Sequence, residues 1–85
     1  MAIEVQLFAG ARQQAGRDSV ILELVEPATI ADVKRALAIA IPALAPLLPS
    51  TRFAINMEYA TDDDLVPEGA EVAAIPPVSG GEELR

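Results

Sequence analysis

The chain has 85 residues, 52% of them hydrophobic, with 13 acidic residues against six basic ones for a net charge of −7, and it contains neither cysteine nor histidine. That length suits one domain whose core must carry the fold without disulfides or a cysteine zinc site. The charge argues against a nucleic-acid binder or an anionic-membrane binder, and the missing His and Cys exclude a Ser-His-Asp triad, a thiolate nucleophile and an imidazole zinc site.

Residues 2 to 9 alternate, with Ile3, Val5 and Leu7 on one side and Glu4, Gln6 and Phe8 on the other, the period of a half-buried strand. Gln13-Gln14-Ala15-Gly16-Arg17-Asp18 is polar with a glycine and is read as a turn. Residues 19 to 25 resume the alternation through Val20, Leu22 and Leu24, so a hairpin is expected. Pro27 ends that strand. Thr29 followed by Asp32 has the spacing of a capping box, and Ile30, Val33, Leu37 and Ile41 then recur at helical spacing. Pro42, Pro46 and Pro49 interrupt the next stretch, where Leu44, Leu47 and Leu48 are expected to cap the core irregularly.

A strand is expected over 51 to 57, with Phe53, Ile55 and Met57 on one side. Asp62-Asp63-Asp64 and Pro67-Glu68-Gly69 mark loops, and a last strand runs from 71 to 76. Hairpin, helix and further strands make an α+β layer, a mixed sheet with one main helix across it. This is the β-grasp order, which ubiquitin also has. The expected division is a domain over 1–77 and a flexible tail over 78–85.

The aspartate run lacks the ligand spacing of a cation site and is read as a solvated loop, so no metal is expected. No apolar run reaches the ~20 residues that span a bilayer, and Met1-Ala2-Ile3-Glu4 has no basic start, so a cytoplasmic protein is expected.

The C-terminal segment is the informative one. Ala54-Ile55-Asn56 leads to Leu65-Val66-Pro67-Glu68-Gly69-Ala70-Glu71-Val72, and the chain closes on Pro76-Pro77-Val78-Ser79-Gly80-Gly81; Leu7-Phe8-Ala9 and Ala11-Arg12 match at the other end. These residues resemble the MoaD/ThiS sulfur-carrier family, and Pro76-Pro77-Val78 is similar to its molybdopterin synthase small-subunit branch more than to its thiamine-pathway branch.

The resemblance implies a carrier, not an enzyme with its own catalytic residues. Gly81 would be adenylated and then thiocarboxylated, with Gly80 the slender residue behind it. The implied partners are the synthase large subunit, which supplies the catalytic lysines, and an E1-like adenylyltransferase that consumes ATP; no cofactor is bound. Glycines suit a tail that enters a narrow site, and two prolines release the chain from a sheet because they donate no ladder hydrogen bond. Phe8, Tyr59, Ile75, Pro76, Pro77 and Val78 match the family's contact positions.

Glu82-Glu83-Leu84-Arg85 follows Gly81, whose carboxyl is therefore held in a peptide bond. A carrier role requires a processing protease to remove residues 82–85. The alternatives are a β-grasp interaction module or protein modifier without sulfur transfer, and a carrier for another pathway such as thiamine.

Overall fold

The computed structural model describes residues 1–77. Five strands form one sheet: β1 (Ala2–Leu7), β2 (Ser19–Glu23), β3 (Arg52–Ile55), β4 (Glu58–Ala60) and β5 (Val72–Ile75), in the order β2-β1-β5-β3-β4. Only the central β1–β5 pair is parallel; the other neighbours are antiparallel. With helices packed on the sheet, this is the β-grasp arrangement.

Alternation along the strands divides the two faces. Val5 lies opposite Val72, Leu7 opposite Ala74 and Phe53 opposite Ala74, and all five are buried. α2 (Ile30–Ala40) sets Ile30, Val33 and Leu37 into that core. Its start is the expected capping box: the Thr29 hydroxyl accepts from the Asp32 backbone N–H, and the Thr29 N–H donates back to the Asp32 carboxylate at 2.9 Å. The next free amides of the helix, on Ile30 and Ala31, donate to the carbonyls of Asp64 and Asp62. The Asp62–Asp64 loop is thus tied to the helix start, and Lys34 pairs with Asp62 at 2.6 Å. Among the described residues, no group of three acidic side chains is placed to hold a metal ion.

Two local expectations are corrected, one is refined, and one strand is added. The connection between β1 and β2 is a helix, α1 (Ala9–Ala15), and only Gly16 to Asp18 turn. Three alanines favour the helix, Ala11 is buried beneath it, and Gly16 closes it in the left-handed conformation with its N–H on the Arg12 carbonyl. Pro42–Ser50 is a 3₁₀ segment that buries Leu44 and half-buries Leu47 and Leu48. The strand expected over 51 to 57 stops at Ile55, so Met57 leaves the Phe53 side and sits in a turn, 91% exposed. β4, unforeseen, follows that turn. No helix of the described residues is long and apolar enough to cross a membrane.

Candidate docking cleft

The face of the sheet away from α2 carries a cleft of about 360 Å³. One register row crosses it: Gln6 opposite Ala73, Ala73 opposite Ala54, Ala54 opposite Tyr59. The two alanines in the middle of the row are short and form the floor. Longer side chains, Phe8, Ile75, Tyr59 and Met57, stand around it as walls. Phe8, Met57 and Tyr59 are exposed, so the lining is apolar surface left open to solvent. Apolar patches of this kind mark binding faces.

Register fixes the two ends. At one end Ile75 closes β5 opposite Arg52, and the Phe8 N–H donates to the Ala74 carbonyl at 3.2 Å. The chain leaves the sheet here. Pro76 is buried, Pro77 is exposed, and neither can donate to a ladder. The Arg52 guanidinium lies over the Tyr59 ring, 4.6 Å from its centroid, a cation–π contact. Among the described residues Arg52 has no carboxylate at ion-pair distance, whereas Arg12, Lys34 and Arg35 each have one.

At the other end β3 turns into β4 through Asn56 and Met57, with φ of 50° and 72°. Positive φ at both central residues of a two-residue loop marks a type I′ hairpin. Asn56 is fastened to the residue before β5: its N–H donates to the Glu71 carbonyl at 2.8 Å, and the Glu71 N–H donates to Asn56 Oδ1 at 3.0 Å. Met57 is thereby held against the cleft's far end.

The structure brings Phe8, Tyr59 and Ile75 together on this one face, with Pro76 and Pro77 at its margin. Val78, Gly80 and Gly81 lie outside the described residues. Met57, Ala54 and Ala73 also shape the face, and sequence reasoning did not single them out for it. Asn56 was the available signal for Met57, since Asn is a favoured first residue of a I′ turn.

The ThiS family matches residues 5–81, all but the first four and last four residues given. The molybdopterin synthase sulfur carrier subunit of Chlamydomonas reinhardtii is 39% identical over 83 residues, which cover 95% of this chain and 100% of that one. Its counterpart in Arabidopsis thaliana is 35% identical over 79 residues, covering 93% and 82%. Among solved structures, SAMP1 from Haloferax volcanii superposes with a TM-score of 0.86 at 31% identity, covering 95% of this chain and 100% of that one.

Proposed function

The chain belongs to the ThiS family, and from that premise we propose that it is the sulfur carrier subunit of a molybdopterin synthase, working in the cytoplasm. One observation carries the reading. The strand that leads to the diglycine ends at Ile75, beside an open apolar cleft, and two prolines then free the chain from the sheet. A partner seated on the cleft has the tail within reach. The curated relatives, named as molybdopterin synthase sulfur carrier subunits and matched over 100% and 82% of their length, support the same assignment.

The chemistry follows from the tail. Hydrolysis of the Gly81–Glu82 bond frees the Gly81 carboxyl. An E1-like adenylyltransferase joins that carboxyl to AMP from ATP, releasing pyrophosphate, and a sulfide-level sulfur nucleophile then attacks the acyl carbon and expels AMP to leave a thiocarboxylate. In the large subunit the thiocarboxylate sulfur is transferred to the cyclic pterin precursor, and hydrolysis of the Gly81 acyl group by water restores its carboxylate. Phe8, Tyr59 and Ile75 hold the partner, Pro76, Pro77 and Val78 aim the tail, and Gly80 lets it pass. This chain supplies the carrier, and its partners supply the catalytic side chains.

The test compares the 85-residue chain with one ending at Gly81, each incubated with the adenylyltransferase and ATP. Pyrophosphate release from the shorter chain alone is the expected result. A shorter chain that is neither adenylated nor captured by the large subunit would overturn the reading.

A second reading, a protein modifier, is favoured by the likeness to SAMP1, a small archaeal modifier protein. It also needs a free Gly81 carboxyl, but its product is an isopeptide bond to lysines of other proteins. Gly81 found in such bonds in the host would select it.

A further inference from the structure

Met57 is an unusual residue for its place. The second position of a type I′ turn has positive φ, which glycine adopts freely and side chains with a Cβ adopt at a cost. Met57 sits there at φ 72°. It gains no compensating burial, being 91% exposed. The turn is nevertheless held in place by the two hydrogen bonds between Asn56 and Glu71. A strained backbone position persists where the surrounding structure over-determines it, and such positions cluster at functional sites. The same holds at the cleft's other end, where Ala9 has φ 50° directly after Phe8. Non-glycine residues thus hold positive φ at both ends of the groove, Ala9 beside Phe8 at one end and Asn56 with Met57 at the other.

We propose that Met57 is a specificity-determining docking residue, presented by its strained turn to the large subunit of the synthase. The inference rests on the carrier reading and extends the docking face from the tail exit to the opposite end of β5. Four residue steps separate Glu71 from Ile75, about 13 Å at the rise of a strand. A partner that touches Met57 while holding the tail must cover that whole length. With Met57 added to Phe8, Tyr59 and Ile75 the face is apolar from end to end, which fits the subunit that keeps the carrier as part of an enzyme, since lasting interfaces are more apolar than transient ones. The thioether suits the task, because an unbranched, polarisable side chain adapts to a partner's pocket.

The experiment measures affinity for the purified large subunit, with the E1-like adenylyltransferase in parallel, and the thermal midpoint of each variant. Met57→Gly is expected to raise the midpoint by a few degrees, because glycine removes the strain, and to weaken large-subunit binding about tenfold. Met57→Leu, which keeps an apolar side chain, should bind within about threefold of the parent. A Met57→Gly protein that binds like the parent overturns the proposal, as does a loss confined to the adenylyltransferase. A lowered midpoint removes the strain argument and overturns it too. Phe8→Ala separates this failure from that of the carrier reading: if it loses binding while Met57→Gly does not, only the role of Met57 falls. If neither variant loses binding, the cleft is not the docking face and both fall.

Discussion

Asn56 and Glu71 exchange two hydrogen bonds, one backbone to backbone at 2.8 Å and one from the Glu71 amide to the Asn56 side chain at 3.0 Å. Fifteen residues apart, they join the β3–β4 turn to the start of β5. Asn56→Ala removes the side-chain acceptor and places a Cβ residue without local hydrogen bonding at φ 50°. It should cost about 2 kcal/mol, the sum of one modest hydrogen bond and a left-handed backbone penalty. Asn56→Gly removes only the hydrogen bond and should cost about half as much. Urea unfolding of the two variants checks the difference.

The Thr29–Asp32 cap gives stability a defined acid limb. The backbone N–H of Thr29 holds the Asp32 carboxyl below its ordinary value of 3.8, with the Thr29 hydroxyl and the Arg35 guanidinium adding to the effect. A carboxylate depressed in the folded state stabilises it above the unfolded pKa, and that contribution is lost as pH falls through the folded pKa. Asp32→Ala should therefore be less stable than the parent at neutral pH, and the gap should close below the ordinary carboxylate range. Denaturant midpoints taken from pH 7 down to about pH 2 would show the convergence; a constant gap would contradict it.

Two phenylalanines on opposite faces of the sheet should answer differently to truncation. Phe53 is 2% exposed and stands in the core. Phe53→Ala should cost about 3–5 kcal/mol. Phe8 is 45% exposed on the cleft. Phe8→Ala should cost under about 1 kcal/mol in stability while weakening the large-subunit complex. Calorimetry of the two variants and one binding titration separate the faces.

Arg52 and Tyr59 form an exposed stacked pair. Arg52→Ala should lower stability by about 0.5–1 kcal/mol. It should also slow association with a partner that presents a carboxylate to this end of the cleft, and that effect should fade with added salt. Stopped-flow association at two ionic strengths tests the second point.

β1, β2 and the main helix were legible because period-two and helical patterns are unambiguous over Ile3–Leu7, Val20–Leu24 and Ile30–Ile41, and the Thr29–Asp32 cap marked where the helix begins. α1 was hidden by Gln13, Gln14 and Gly16, whose polar character reads as a turn until the alanines before them are weighed as helix formers. Met57 was misplaced because alternation from Phe53 through Ile55 continues into it and outweighed the turn signal of Asn56. The cleft itself was half legible. Phe8, Tyr59 and Ile75 came from resemblance, but its floor is two alanines whose meaning depends on register, which pairs strands that lie far apart in sequence.

The central claim is that Gly81 carries sulfur. The most direct measurement is the intact mass of the untagged protein purified from its host. A mass lacking residues 82–85, with a fraction heavier by the exchange of one oxygen for sulfur, is the predicted result. A population in which every molecule keeps Gly81 in peptide linkage to Glu82 would contradict it.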